Sequence, residues 1–110
     1  IKAIAEGSFK KKGYEAGIRG KGYIVMALEA ALWAFWDSSS FEDGAIKAVN
    51  LGDDTDTTAA IYGQLAGAVY GVERLPERWV DQLYARNYIE WLAKWLNYRG
   101  NEWYCKNHKT

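Results

Sequence analysis

Three aspartates lie close together near the middle of the chain, Asp53, Asp54 and Asp56, and Thr57 follows them directly. Aspartates at the start of a helix accept free amide protons and oppose the positive end of the helix dipole, so a helix cap explains one or two of them. Three carboxylates at this spacing repel one another unless a cation lies among them. Oxygen ligands of this kind are those that hard divalent cations prefer. The cluster therefore indicates either a helix cap or one side of a divalent-cation site.

The spacing of the acidic cluster excludes an EF-hand loop. Counted from Asp54, the sixth position is Ala59 where an EF-hand has glycine, and the twelfth is Leu65 where it has a bidentate glutamate. Asp54, Asp56 and the hydroxyl of Thr57 offer three oxygens. An octahedral Mg²⁺ ion would need further ligands from water, substrate or other residues.

Other kinds of catalytic site find little support in the sequence. Cys105 and His108 have a C-x-x-H spacing, but two ligands do not make a zinc site, and a nucleophilic dyad would have to use these same two residues. Neither glycine-rich phosphate loop pattern occurs. Glu29 is the one charge in an apolar segment, and we interpret it as a buried carboxylate hydrogen-bonded to neighbouring backbone or an arginine.

Composition excludes several classes of function. The 110 residues include 14 Lys plus Arg and 14 Asp plus Glu, so binding to nucleic acid or to a membrane surface through net charge is not expected. No secretory leader is evident, which favours a cytoplasmic protein. The 6 Trp, 8 Tyr and 3 Phe residues exceed what a small core buries, so part of this aromatic surface should face a partner or a missing segment. We expect Trp33 or Trp36 to be unusually exposed.

Helix propensity and apolar periodicity predict an all-α fold, a small orthogonal bundle of about five helices over residues 23–36, 41–49, 55–71, 76–84 and 86–97. The first is apolar on every side, as in a central helix. Ser39 and Glu42 form a capping box before the second. In the last, Glu90 and Lys94 are spaced as an ion pair. Residues 1–22 are predicted to be mainly loop, and residues 98–110 a polar, frayed tail.

The third predicted helix carries small residues at intervals of four, at positions 59, 63, 67 and 71. Glycine within a helix costs about 1 kcal/mol relative to alanine. Several glycines on one face therefore predict that another helix packs very closely against it.

Several stretches, in this order, resemble the ADP-ribosylglycohydrolase family. Residues 22–35 (GYIVMALEAALWAF) are similar to its late helix, and residues 48–57 (AVNLGDDTDT) to its C-terminal metal motif. Residues 64–71 (QLAGAVYG), Leu75-Pro76 and Trp79 continue the similarity, which covers about residues 3–84.

The resemblance implies an all-α bundle and cleavage of the bond between ADP-ribose and a protein side chain or small molecule with two Mg²⁺ ions. It implies that Asp54, Asp56 and Thr57 are metal ligands, whereas Asp53 occupies a place often held by glycine. Gly22 and Tyr23 resemble a segment near the substrate pocket.

Family members are much longer, and their early acidic metal motifs are absent from this sequence. The resemblance therefore implies a C-terminal segment, residues 1–97 followed by the tail, that belongs to a Mg²⁺-dependent hydrolase and is inactive alone. Its partner would be a missing N-terminal segment or a second copy in a homodimer, and its ligand ADP-ribose or a similar molecule. The alternative is a stand-alone, non-catalytic helical module, either monomeric or dimeric, that binds a metal or nucleotide-like ligand.

Overall fold

A computed structural model describes residues 1–108 of the chain. This part contains no strand, so the all-α prediction is confirmed. The six helices are α1 (Lys2–Ala5), α2 (Ile24–Trp36), α3 (Phe41–Asn50), α4 (Thr55–Tyr70), α5 (Glu77–Asp81) and α6 (Arg86–Asn107), with 3₁₀ turns at Gly13–Ala16 and Val72–Arg74. The chain divides into two compact units, Ile1–Leu75 and the remainder from Pro76 onward.

Helices α2, α3 and α4 pack against one another and form the core of the first unit. The side of α2 that faces the core is rich in alanine, because Ala27, Ala30, Ala31 and Ala34 are fully buried. Small side chains let neighbouring helices approach closely while still removing apolar area from water. The helix predicted over residues 23–36 is therefore present but is buried on one face only, since Ile24 and Trp36 are exposed, and the prediction of a helix covered on every side is wrong.

The close helix approach occurs on α3 and not on the glycine face of α4. A Cβ atom on Gly44 would lie 2.2 Å from the hydroxyl oxygen of Tyr62, whereas a Cβ on Gly63 or Gly67 would meet nothing within 4 Å. Gly71 lies just beyond the end of α4. The prediction of tight packing along the α4 glycines is therefore wrong among the residues described, and Gly44 supplies the small surface on which α4 packs.

The predicted cap of α3 is displaced by one residue. Ser40, not Ser39, is the N-cap, and its hydroxyl accepts a hydrogen bond from the amide of Asp43 at 3.1 Å. Ser40 has the extended backbone that a capping residue requires (φ −149°, ψ 163°). The capping box predicted for Ser39 and Glu42 is therefore wrong, because the helix begins at Phe41 and places Ser40 at the cap position.

The two helices of the second unit differ from prediction in length. Helix α5 ends at Asp81, and Ala85 has a left-handed backbone (φ 54°) before α6 begins. Helix α6 continues to Asn107, so the prediction of a frayed tail from residue 98 is wrong as far as this residue. Arg99 and Glu102 form an ion pair at 3.0 Å within this extension. Lys109 and Thr110 lie outside the described residues.

Helix α6 has no buried residue, and four of its rings form a stack on one face. The successive centroid distances are 6.3, 6.3 and 5.7 Å along Tyr88, Trp91, Trp95 and Tyr98. The excess of aromatic surface expected from composition lies largely here and at Trp36, which is 48% exposed. Across residues 1–108 no helix has the length and hydropathy to cross a membrane.

The predicted ion pair between Glu90 and Lys94 is also wrong. Glu90 instead pairs with Arg86, one turn earlier, at 3.1 Å. Lys94 lies beside the stacked rings of Trp91 and Trp95 and lines a shallow groove with them. Glu90 lies four residues from both Arg86 and Lys94, so its position in the helix allows a pair with either. The guanidinium of Arg86 also bonds Asp81.

Candidate metal centre

The acidic cluster lies at the N-terminus of α4, where Asp54 is the residue that precedes the helix. The backbone carbonyl of Asp54 accepts from both the amide and the hydroxyl of Thr58, each at 3.2 Å, and Thr58 is fully buried. The carboxylate of Asp54, by contrast, makes no capping hydrogen bond to the helix. A helix cap therefore does not account for this side chain.

The side chains of Asp54 and Asp56 are close neighbours at the start of α4. A hydrogen bond from the Asp54 carboxyl, together with the amide of Thr57 at 3.0 Å, holds the pKa of Asp56 below its usual range. Two neighbouring carboxylates repel each other unless a positive charge lies near them. A divalent cation beside both groups would relieve this repulsion and satisfy their oxygens.

Asp53 is separated from this pair. Its backbone has a positive φ of 57°, and its carboxylate forms an ion pair with Lys21 at 3.4 Å. Among residues 1–108, no group of three or more His, Cys, Asp or Glu side chains is placed to hold a metal ion. The three aspartates of the sequence thus divide into a pair and a single residue paired with a lysine.

The segment that precedes α2 lies close to Asp54. The amide of Asp54 donates to the carbonyl of Gly20 at 2.7 Å. A Cβ on Gly22 would lie 3.4 Å from Oδ2 of Asp54, and the neighbouring Tyr23 is exposed. Gly22 and Tyr23, which the resemblance assigns to the substrate pocket, therefore adjoin the predicted metal ligands.

The donor set fits a hard cation in its chemistry but provides only part of a coordination shell. Asp54 and Asp56 supply two carboxylates from adjacent positions, and Thr57 places a hydroxyl on the same helical turn. An octahedral Mg²⁺ ion needs more oxygen ligands than these three residues offer. Residues 1–108 therefore supply only some of the ligands that a complete Mg²⁺ site needs.

Sequence reasoning missed three residues that position the aspartates, Gly20, Lys21 and Thr58. Their signal was weak, because a glycine-rich segment indicates only a loop, and a lysine and a threonine are common on surfaces. The contacts of Gly20 and Lys21 to residues 52–54 join parts of the chain that are distant in sequence, which local patterns do not report.

The remaining candidates have structural contacts. Glu29 accepts a hydrogen bond from the hydroxyl of Ser8 and pairs with Lys11 at 3.8 Å, and its side chain is 19% exposed, so the interpretation as a buried carboxylate bonded to backbone or an arginine is wrong in burial and in partners. Cys105 is exposed, and the ring of His108 stacks on Tyr104 at 4.2 Å.

The family to which this helical chain belongs follows from its similarity to known protein families. The sequence profile of the family described as ADP-ribosylglycohydrolase matches residues 2–104. The chain belongs to the ADP-ribosylglycohydrolase family.

Curated relatives agree with this assignment. The chain is 43% identical over 99 residues to an ADP-ribosylarginine hydrolase of Serratia proteamaculans, covering 90% of the chain and 27% of the relative. It is 47% identical over 93 residues to an ADP-ribosylarginine hydrolase of Pseudomonas putida, covering 84% and 25%. An ADP-ribosyl-[dinitrogen reductase] glycohydrolase of Rhodospirillum rubrum is 38% identical over 65 residues, covering 59% and 22%. The chain thus spans about a quarter of the length of these relatives.

Proposed function

We propose that this chain is one part of a Mg²⁺-dependent hydrolase of ADP-ribosyl glycosidic bonds and that it is inactive alone. The observation that carries the proposal is the placement of Asp54 and Asp56 side by side at the start of α4, where the carboxylate of Asp54 makes no capping hydrogen bond to the helix. Neither the cap of the helix nor a nearby lysine accounts for this pair, whereas Asp53 has Lys21 as its partner.

In the proposed site, Asp54, Asp56 and Thr57 hold Mg²⁺ through oxygen atoms. Bound there, the ion would orient the ribose hydroxyl groups and lower the pKa of a coordinated water. The chain's own contribution is to hold two carboxylates together at a helix N-terminus and to exclude the third through its ion pair with Lys21.

The proposed inactivity of the isolated chain follows from the count of ligands. Two carboxylates and one hydroxyl leave much of an octahedral shell open, and no third acidic or histidine side chain among residues 1–108 joins them. The remaining ligands would come from another part of the hydrolase.

The proposed substrate is an ADP-ribosylated arginine, which is the bond named for the relatives from Serratia and Pseudomonas. Gly22 and Tyr23 would contact the ADP-ribose moiety, because they border Asp54 and Tyr23 is exposed. A glycine beside the carboxylate leaves room for a bulky ligand to approach it.

The exposed apolar surfaces support a partner for this chain. Helix α6 has no buried residue, and Gly63 and Gly67 on α4 face open space. Since the chain spans about a quarter of its relatives, we propose that the rest of the hydrolase fold covers these surfaces. A homodimer of this chain is the competing outcome, which light scattering would detect.

A graft into a full-length relative tests the proposal. Residues of this chain would replace the matched stretch of the Pseudomonas putida hydrolase, which is 47% identical to it. We expect the graft to release ADP-ribose from ADP-ribosylated arginine only when Mg²⁺ is present, and the isolated chain to release none.

Substitutions within the graft separate the metal site from the fold. Asp54→Asn and Asp56→Asn should each abolish hydrolysis, whereas Asp81→Asn, in the second unit, should leave it unchanged. A folded graft that hydrolyses the substrate equally well with Asp56→Asn would contradict the proposed site. Hydrolysis by the isolated chain, or a stable dimer that binds Mg²⁺ without hydrolysis, would favour an independent module.

A further inference from the structure

We propose that Gly20 is a positioning residue for the Asp54 and Asp56 pair, a role that rests on the proposed metal site. Its carbonyl oxygen accepts the hydrogen bond from the amide of Asp54 at 2.7 Å. This bond ties the aspartate loop to the segment of residues 18–22, which we call the strap. It fixes the main chain of Asp54 at the point where its carboxyl group meets that of Asp56.

The position of Gly20 leaves little room for a side chain. A Cβ atom there would lie 3.0 Å from the carbonyl oxygen of Gly52 and 3.1 Å from Oγ1 of Thr58. Neither neighbour yields easily, since Gly52 is in a left-handed turn (φ 80°) and Thr58 is fully buried. A side chain at residue 20 would therefore push the strap away from the aspartate loop.

The strap is anchored on both sides of Gly20, so it transmits a displacement to Asp54. Ile18 is fully buried in the core, and the guanidinium of Arg19 stacks over Tyr14 at 3.6 Å. Beyond Gly20, Lys21 pairs with Asp53. Because Ile18 fixes the strap in the core, a shift at Gly20 is passed on to its contact with Asp54.

The consequence for the metal site is a loss of preorganisation. Asp54 holds its carboxyl group beside Asp56 because its main chain is fixed by Gly20 in front and by Thr58 behind. Groups that orient metal ligands without touching the metal affect affinity strongly when they are altered. Replacing Gly20 should thus weaken metal binding even where the helices remain intact.

The test measures Mn²⁺ binding by the 110-residue chain through the selective broadening of the Asp54 and Asp56 amide signals in ¹⁵N NMR spectra. We expect Gly20→Ala to weaken Mn²⁺ binding about tenfold. Ala66→Gly is the matched control, because Ala66 is buried on α4, the helix that follows Asp54. This replacement costs about 1 kcal/mol of helix stability and does not alter the strap. Its Mn²⁺ affinity should equal that of the parent chain.

Each outcome decides the role of the strap. Equal Mn²⁺ affinity in a folded Gly20→Ala variant overturns it. If circular dichroism shows that this variant does not fold, Gly22→Val decides, because residue 22 is exposed and a Cβ atom added there would lie 3.4 Å from Oδ2 of Asp54. Weaker Mn²⁺ binding by Gly22→Val then supports the positioning role of the strap, and unchanged Mn²⁺ binding overturns that role. Absence of selective broadening in the parent chain contradicts the metal site itself, and the role of Gly20 is overturned with it.

Discussion

At the scale of residues, the three aspartates differ in backbone and neighbours although they are identical in type. Asp53 has a left-handed backbone and a lysine partner, whereas Asp54 and Asp56 share a contact at the start of α4. The sequence predicted that the cluster lies at the start of a helix. Its division into a pair and a single residue depends on Lys21, which lies far away in the chain and follows no local pattern.

Tyr62 illustrates how one buried residue makes stability depend on pH. Burial, and then the nearby Tyr70 and Asp43, raise the pKa of Tyr62 to about 12, and its hydroxyl donates to the carbonyl of Phe41 at 2.8 Å. The folded state thus holds the phenolic proton more tightly than the unfolded chain, where a tyrosine titrates near pH 10. This contribution to the free energy of unfolding is complete below pH 10 and is lost as the pH rises through 12.

We therefore expect the chain to lose stability steeply between pH 10 and pH 12. Tyr62→Phe should be less stable at neutral pH, because it lacks the hydrogen bond to Phe41, but should depend less on pH in this window. Urea denaturation followed by circular dichroism at several pH values would measure both effects. Parallel pH curves for the parent and the variant would contradict this account.

At the scale of elements, local pattern predicted the first unit better than the second. The predicted ranges 23–36, 41–49 and 55–71 agree with α2, α3 and α4 to within one residue at each end. These helices have apolar faces that the core buries, so periodicity and packing agree. Helices α5 and α6 lack buried residues, and their ends depend on backbone angles and side-chain contacts that periodicity does not report.

Two glycines on neighbouring helices should respond oppositely to the same change. Gly44→Ala should destabilise the fold by about 1–3 kcal/mol, because the added methyl group would overlap the hydroxyl of Tyr62. Gly63→Ala should stabilise it by up to about 1 kcal/mol, since the added methyl meets open space and alanine favours helix. Thermal melting of both variants is the measurement. A loss of stability in Gly63→Ala would show that α4 is closely packed on its glycine face.

Adjacent serines provide a second test at this scale. Ser40→Ala should cost about 1 kcal/mol, because it removes the hydroxyl that accepts the amide of Asp43. Ser39→Ala should change the free energy of unfolding little, because Ser39 is exposed and lies before the cap. Chemical denaturation of both variants distinguishes the two positions, and a larger cost at Ser39 would restore the capping box predicted from sequence.

At the scale of the whole molecule, one unit has a core and the other does not. The buried residues of the described chain all lie within Ile1–Leu75, whereas α6 has large exposed side chains along its length. The composition predicted this excess of aromatic surface, and the chain spans about a quarter of the length of its relatives.

Hydrogen exchange should follow this division in the isolated chain. Amides of α6 should exchange much faster than those of α2, because a helix without buried contacts opens locally at little cost. Exchange followed by NMR at low protein concentration is the measurement. Equal protection of the two helices in a monomer would mean that α6 is already covered.

The most direct test of the proposed half-site compares the three aspartates in a Mn²⁺ titration monitored by NMR. Asp54→Asn and Asp56→Asn should each abolish the selective broadening around the start of α4, since each removes one of the two paired carboxylates. Asp53→Asn should preserve it, because that carboxylate pairs with Lys21. Equal loss in all three variants, or broadening that persists without Asp54 and Asp56, would contradict the account.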